Sequence, residues 1–205
     1  MQVVTISGSQ RKKGFTNRLV SLVLDEMEQL CPDMVTNMVQ ASSLRLNPCK
    51  VDCGQLCKKN HFCCTQDDDV MSVVEKLAGA DAVILASPLY IKIPSAFNML
   101  LERLVALCFS AETAATGSSV FDGKVCGLVA MAEYTDPQEI LRHMHDVALV
   151  LKMEPVHLKT YPYLGVGGIG NLDEQKSMGP LKPFAQAKLL ARALIERALV
   201  DRSRR

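Results

Sequence analysis

Short apolar runs alternate with longer stretches of helical periodicity along the chain. Five runs are typical of strands: Val3–Ile6, Met34–Val39, Ala82–Ala86, Val125–Ala130 and Val156–Thr160. Five segments repeat apolar residues at helical spacing: Asn17–Leu30, Val70–Leu77, Ser95–Leu107, Pro137–Leu151 and Pro183–Val200. Because strands alternate with helices, the pattern predicts an α/β fold with a five-stranded parallel sheet covered by helices on both faces.

Two segments, Asn47–Gln66 and Phe109–Gly123, fit no element and are interpreted as insertions or long loops. The length of 205 residues predicts a single domain, residues 1–205, which ends in the helix over about 183–200. A net charge of +1 argues against nucleic acid as the main partner. The sequence shows neither a signal-peptide pattern nor an apolar run near the ~20 residues of a membrane helix, so we expect a cytoplasmic protein without membrane contact.

The segment between the first strand and the first helix combines glycines with hydrogen-bond donors. Gly8 and Gly14 permit tight backbone paths, and the start of the following helix favours an anion. Ser9, Thr16 and Asn17 add neutral donors to the same segment, and Arg11 adds positive charge. The pattern predicts a phosphate-binding loop, although it is neither a G-x-G-x-x-G nor a P-loop motif. The alternative is an ordinary strand–helix turn in which Thr16 or Asn17 is the N-cap.

A second loop, SPLYIKIPS, follows the third strand directly. Pro88 fixes the backbone after the strand, and Leu89, Tyr90 and Ile91 are apolar or aromatic where a solvated loop would be polar. Such a surface at the ligand-binding edge of an open sheet suits a flat ring system. The alternative is that Leu89 and Ile91 cover the core beneath the next helix.

Both loops resemble those of the NADPH-dependent FMN reductase family. GSQRKKGFT resembles the family's Gly-Ser-Pro-Arg-x-x-Gly-Asn-Thr loop, and ASPLY followed by LLERL resembles its Ser-Pro-x-Tyr segment and the next helix. The similarity extends from Met1 to about Lys159. It implies a flavodoxin-like, three-layer, doubly wound fold that binds FMN.

The resemblance also implies which residues hold the cofactor. The phosphate loop would contribute Ser9, Arg11, Lys12, Thr16 and Asn17, and the ring would lie against Pro88, Leu89, Tyr90 and Ile91. Phe15 would cover either the ribityl chain or a neighbouring subunit. Three residues after the fourth strand are placed to touch the ring: Ala132, Glu133 and Tyr134. The chain departs from the family at Gln10, at Phe15 and in the segment Met131–Thr135, where relatives are often glycine-rich.

Five of the eight cysteines lie in the Cys-rich insertion of about residues 47–66. Cys49, Cys53 and Cys57 are four residues apart, so they could share one side of a helix, and soft thiolates suit iron–sulfur clusters or zinc. The run resembles that of the iron-sulfur flavoprotein branch of the family. This resemblance implies a [4Fe-4S] cluster on Cys49, Cys53, Cys57 and Cys63, with Cys64 as the alternative fourth ligand. Zinc, with help from His61, and thiols without metal remain open.

Other chemistry-bearing residues receive structural interpretations. Cys31, Cys108 and Cys126 are predicted to be small buried hydrophobes. The run Asp67–Asp69 suits the N-terminus of the helix that begins at Val70. Three histidines, His143, His145 and His157, are interpreted as structural or solvated, because the first two do not share a helix face.

The family resemblance implies an FMN-dependent oxidoreductase. NAD(P)H, or a reduced carrier such as a ferredoxin-like partner, would reduce FMN, which then reduces a small-molecule electron acceptor. Relatives assemble as homodimers or homotetramers, for which Ile91–Pro94 and Phe109–Gly123 would provide contacts. One alternative is an FMN electron-transfer protein, with or without [4Fe-4S], that lacks turnover of its own. Another is a zinc module on a scaffold that has lost its flavin.

Overall fold

Strands and helices alternate through residues 1–50, 67–170 and 182–202, the part of the chain that this computed structural model describes. The strands are β1 (Gln2–Ser7), β2 (Val35–Gln40), β3 (Ala82–Leu89), β4 (Val125–Ala132), β5 (Glu154–Pro155) and β6 (Val166–Ile169). The α-helices are α1 (Phe15–Leu30), α2 (Val70–Ala78), α3 (Ser95–Leu107), α4 (Ala111–Thr116), α5 (Gln138–Val150) and α6 (Pro183–Arg202). A short 3₁₀ helix, Ala41–Ser43, follows β2.

The strands form one parallel sheet in the order β2-β1-β3-β4-β5. The last position of this sheet is shared by two short strands. β5 pairs with Val125 and Cys126 at the start of β4, whereas β6 pairs with Val129–Ala132 at its end. Within the described ranges, six strands therefore fill five positions of the sheet, and the predicted α/β class is confirmed.

The predicted fifth strand, Val156–Thr160, is wrong in position. Val156 still donates its N–H to the carbonyl oxygen of Cys126 at 2.8 Å, but the N–H of Leu158 turns to the carbonyl oxygen of Tyr163 at 2.7 Å. Val156 and Leu158 are both buried, which produced the strand-like alternation of the sequence. Both residues belong to the loop between β5 and β6, and they are buried there without being part of a strand.

Two apolar cores lie on opposite faces of the sheet. Residues of α2, α3 and α5 bury one face, and residues of α1 and α6 bury the other. α6 packs closely on β4, since a Cβ at Gly127 would lie 2.9 Å from Cδ1 of Leu194. Cys126 is fully buried, as predicted, whereas Cys31 and Cys108 are only partly buried beside these cores.

Several element ends differ from the predicted ones. α1 begins at Phe15, two residues before the predicted Asn17, and Gly14 is its N-cap. The segment Phe109–Gly123 was predicted to fit no element, but it contains α4. Ser110 caps this helix by accepting a hydrogen bond from the Thr113 N–H, and the chain ends it at Gly117 with a φ of 71°. A helix of six residues is too short to show a periodic pattern in the sequence.

The helices of the described ranges include none that is long and apolar enough to cross a membrane. The cytoplasmic location stays a prediction.

Candidate cofactor-binding site

A cavity of about 500 Å³ opens at the carboxyl ends of β1, β3 and β4. In open α/β sheets, ligands bind at this edge, where the strand order reverses. Here β1 lies between β2 and β3, so the chain winds in opposite directions from it. The cavity is lined by Ser9, Arg11, Gly14, Phe15, Thr16, Pro88, Leu89, Tyr90, Met131, Ala132, Glu133, Tyr134 and Gly170.

Ten of the thirteen residues predicted to bind the cofactor line this cavity, and they come from three separate segments of the sequence. Lys12, Asn17 and Ile91 are not part of its wall. Lys12 is exposed on the loop, and the Ile91 side chain is 93% exposed beyond Tyr90. Whether each of these residues contacts a cofactor stays a prediction.

The loop after β1 follows a path that only glycine permits at its first turn. The Gly8 N–H donates to the carbonyl oxygen of Ala86 at 2.8 Å, which fixes the loop to the end of β3. A Cβ at Gly8 would lie 2.9 Å from three carbon atoms of Phe97. Phe97 is fully buried, so it has no space into which to move. The close approach of the loop to α3 therefore depends on the absence of a side chain.

The Asn17 side chain holds the loop after β1 in place through hydrogen bonds to its backbone. Its Nδ2 donates to the carbonyl oxygens of Arg11 at 3.2 Å and Lys12 at 3.0 Å, and its Oδ1 accepts a hydrogen bond from the hydroxyl of Ser7. The side chain of Gln40 supports the other side by donating to the Ser9 carbonyl oxygen at 2.9 Å. These contacts satisfy three carbonyls of the loop, and Asn17 itself does not line the cavity, which makes it a positioning residue in this structure.

The start of α1 forms the polar end of the cavity. Ser9 and Thr16 are almost fully buried there, and Arg11 is exposed at the rim. The Ser9 hydroxyl closes the turn by donating to the Arg11 carbonyl oxygen at 2.9 Å and accepting from the Arg11 N–H at 3.2 Å. Because the N-cap is Gly14, which has no side-chain oxygen, the first amides of α1 remain available to an anion.

The other end of the cavity is lined mainly by apolar and aromatic side chains, together with the Glu133 carboxylate. Pro88 and Leu89 end β3, and they are paired in register with Met131 and Ala132 at the end of β4. Tyr90 is 51% exposed and Tyr134 is 84% exposed at the opening. A flat aromatic ring could lie between the strand ends while one edge faces solvent.

Hydrogen bonds to carboxylates raise the pKa of two tyrosines, Tyr134 and Tyr161. A hydrogen bond to Glu133 and its negative charge raise the pKa of Tyr134 above its ordinary value. The Tyr161 hydroxyl donates to Asp136, and this bond is the main cause that raises the Tyr161 pKa to about 12. The Tyr161–Asp136 bond also ties the loop before β6 to the segment that follows Tyr134.

Three lining residues were not predicted as cofactor ligands: Gly14, Met131 and Gly170. Gly170 follows β6, and its N–H donates to the Ala132 carbonyl oxygen at 2.8 Å with a φ of 74°. Its place at the cavity depends on the pairing of β6 with β4. The only signal in the sequence was the glycine-rich stretch Gly165–Gly170.

The two ends of the Cys-rich insertion meet over α3. Arg103, fully buried, donates through Nη1 to Asp68 at 2.6 Å and to the Asn47 carbonyl oxygen at 2.9 Å. Asp68 in turn accepts from the Asn47 N–H at 3.1 Å and the Val70 N–H at 3.3 Å. Asp68 thus satisfies the start of α2, as predicted for this acidic run, and also joins residues 47 and 68.

Of the four predicted cluster ligands, one lies within the described residues. Cys49 is a free, partly buried cysteine. Cys53, Cys57 and Cys63 lie outside the described residues, as does the alternative ligand Cys64. Cys49 lies two residues after Asn47, whose backbone is hydrogen-bonded to Asp68 and Arg103.

Comparison with curated proteins finds iron-sulfur flavoproteins. The chain is 32% identical over 108 residues to an iron-sulfur flavoprotein of Methanosarcina thermophila, which covers 52% of this chain and 54% of that protein. It therefore spans about half the length of that relative. It is 27% identical to an iron-sulfur flavoprotein of Archaeoglobus fulgidus, over 86% of this chain and 76% of that protein.

Comparison with solved structures confirms the flavodoxin-like fold. The structure is similar to oxidised flavodoxin 2 from Bacillus cereus with a TM-score of 0.58, over 96% of this chain and 99% of that one. The sequence identity is 11%, so this likeness concerns the fold alone.

The match to the family of NADPH-dependent FMN reductases covers residues 1–161. These residues include both loops that carry the resemblance and all but one of the residues that line the cavity. The chain belongs to the NADPH-dependent FMN reductase family.

Proposed function

We propose that the chain binds FMN in the cavity at the carboxyl edge of the sheet and is an NAD(P)H-dependent oxidoreductase that passes electrons to a small-molecule acceptor. The observation that carries the proposal is the polarity of the cavity. One end holds the start of α1 with Ser9, Thr16 and Arg11, and the other end is lined mainly by apolar and aromatic side chains, together with the Glu133 carboxylate. FMN has the same division between a phosphate and a flat ring.

The residues of the chain would bind and orient the cofactor. The amides at the start of α1 and the charge of Arg11 would hold the phosphate. Leu89 and Met131 would shield the ring from water, while Tyr90 and Tyr134 would flank its exposed edge. Bound FMN would supply hydride acceptance and electron release. Hydride transfer needs no protein acid or base, so we assign no catalytic side chain.

The phosphate contact is tested by comparing FMN with riboflavin. We expect wild-type protein to bind FMN more tightly than riboflavin, which lacks the phosphate, in a fluorescence titration. Arg11→Met should weaken FMN binding by about tenfold, which corresponds to one charge-assisted hydrogen bond, and leave riboflavin binding unchanged. Lys13→Met is the matched control, since Lys13 is exposed on the same loop but does not line the cavity.

Turnover is tested with the FMN-loaded protein. Steady-state oxidation of NADH or NADPH in the presence of a quinone acceptor should occur with the FMN-loaded protein and be absent from the protein without FMN. Tight FMN binding without such turnover would favour the electron-transfer alternative, in which a ferredoxin-like protein is the partner. Failure to bind FMN would overturn the proposal as a whole.

We also propose that Cys49, Cys53, Cys57 and Cys63 hold a [4Fe-4S] cluster. The names of the relatives support this, and so does the contact that joins Asn47 to Asp68 on either side of the insertion. Anaerobically purified protein should contain about four iron and four sulfide ions per chain. Cys49→Ser should lower the iron content and leave the flavin content unchanged. Zinc in place of iron would favour the alternative metal.

A homodimer or homotetramer is the final part of the proposal. The apolar side chains that support it are exposed on the predicted contact segments: Ile91 is 93% exposed, and Phe109 and Val120 are also exposed. Ile91 directly follows Tyr90 at the opening of the cavity. Such a contact would therefore place a second subunit beside the cofactor.

A further inference from the structure

The opening of the cavity combines two aromatic side chains with one carboxylate. Tyr90 and Tyr134 line the cavity and are 51% and 84% exposed, and Glu133 belongs to the same wall. Tyr90 and Glu133 directly follow Leu89 and Ala132, which are paired in register at the ends of β3 and β4. Two separate segments therefore bring the aromatic rings and the carboxylate to one edge of the cavity.

The charges of the cavity wall lie at its two ends. Among the described residues that line the cavity, the charged ones are Arg11 at the polar end and Glu133 at the opening. In the proposed function, on which this inference rests, the phosphate of FMN would neutralise Arg11. The charge that remains at the opening would then be the negative charge of Glu133.

We propose that the electron acceptor is a planar aromatic cation that binds at this opening, and that Glu133 is the residue that determines this specificity. Aromatic faces attract a cation within about 6 Å of the ring centroid, and aromatic residues recognise quaternary nitrogen in this way. A carboxylate adds direct attraction to the same charge. The Tyr134 hydroxyl is hydrogen-bonded to Glu133, which holds the carboxylate beside an aromatic ring.

A cationic acceptor also suits the chemistry of the proposed reaction. Overall, the acceptor would gain the hydride, two electrons and one proton, that NAD(P)H loses. A cationic ring then becomes a neutral dihydro ring while NAD(P)H becomes NAD(P)⁺, so the reaction balances without a further proton. A neutral quinone would need one more proton to form its hydroquinone. Reduction of the cation would also remove its attraction to Glu133 and so favour release of the product.

The test uses ligands that share the acridine ring system and differ in charge. At pH 7.5, N-methylacridinium is a cation, acridine is neutral and acridine-9-carboxylate is an anion. Their dissociation constants are measured by equilibrium dialysis against oxidised, FMN-loaded protein without NAD(P)H, which separates binding from turnover. A second subunit at Ile91 would narrow the opening, so the assembled protein is used.

We expect the cation to bind about tenfold more tightly than the neutral ring, and the anion to bind more weakly than both. Glu133→Gln should reduce the preference for the cation over the neutral ring at least about threefold. Glu28→Gln is the matched control and should retain the preference, because Glu28 is exposed near the C-terminus of α1 and does not line the cavity. Tyr134→Leu should also reduce the preference, because it removes an aromatic face.

Turnover provides a second measurement of the same preference. The ratio of kcat/KM for N-methylphenazinium, a cation, to kcat/KM for menadione, a neutral quinone, should fall in Glu133→Gln and not in Glu28→Gln. Equal binding of the three acridines, tightest binding of the anion, or a preference unchanged in Glu133→Gln would overturn the inference, while FMN binding and NAD(P)H oxidation would still support the proposed function. Failure to bind FMN would overturn the proposed function, and this inference with it.

Discussion

Gly8 determines how closely the loop after β1 approaches α3. The same residue is bonded through its N–H to Ala86, so the loop cannot shift away without losing that hydrogen bond. The sequence indicated a tight turn at Gly8, but the contact with Phe97 links residues 89 positions apart and depends on the packing of α3.

Gly8→Ala should lower the free energy of unfolding by about 1–3 kcal/mol, because the added methyl group overpacks against Phe97. Urea denaturation of the protein without cofactor measures this change. Gly79→Ala is the matched control, since its methyl group would meet only two carbonyl oxygens, at 3.9 and 4.0 Å, and its φ is −81°. The control should be neutral or slightly stabilising. Equal effects of the two substitutions would contradict the role assigned to Gly8.

The Cys126 thiol should make stability depend on alkaline pH. Burial raises its pKa to about 12, whereas in the unfolded chain the thiol ionises near its ordinary pKa of 9.0. The folded pKa is the higher one, so this contribution is fully present below about pH 9 and is lost as the pH rises towards 12. Between pH 8 and pH 10.5, wild-type protein should lose about 2 kcal/mol more stability than Cys126→Ala in urea denaturation. Parallel losses would contradict this origin.

Among the elements, the central strands were the most predictable from sequence. All residues of β3 and β4 are buried, and continuous apolar runs report this position directly. The fifth position of the sheet, which β5 and β6 share, could not be predicted. These strands have only two and four residues, and they form through pairing with β4. The same limit applies to Gly170 at the cavity and to His157 beside His145, which approach their partners only through tertiary structure.

The ion pair between Arg103 and Asp68 joins α3 to the start of α2 and to residue 47. Both side chains are 1% exposed. Arg103→Met would leave a buried carboxylate without its cation, so we expect a loss of about 3–5 kcal/mol in the free energy of unfolding. The double variant Arg103→Met, Asp68→Leu should recover part of this loss, because it removes both buried charges.

The neighbouring pair of Arg45 and Asp67 provides the control for this measurement. It joins the segment before the insertion to the segment before α2, and its side chains are 63% and 95% exposed. Arg45→Met should therefore change the free energy of unfolding by only about 0–1 kcal/mol. If Arg103→Met cost no more than Arg45→Met in urea denaturation, the buried pair would not be the contact that fixes the base of the insertion.

At the scale of the whole molecule, the cavity lies on a face with exposed aromatic and apolar side chains. Phe15 is 41% exposed and lies under the Arg18 guanidinium, while Tyr90, Ile91 and Tyr134 project around the opening. Two buried cores already fill both faces of the sheet. These side chains are therefore not needed by the described fold, which supports the proposal that a second subunit covers them.

Ile91→Glu should weaken the proposed subunit contact, because association would then bury a charge where wild-type protein buries an apolar side chain. We expect a dimer or tetramer in sedimentation velocity for wild-type protein and at least about a tenfold higher dissociation constant for the variant. Leu149→Glu is the control, because Leu149 is exposed near the C-terminus of α5. This variant should associate like wild-type protein. A monomeric wild-type protein would contradict the proposed assembly. Association unaffected by Ile91→Glu would place the interface elsewhere, and the opening between Tyr90 and Tyr134 would then remain accessible to the electron acceptor.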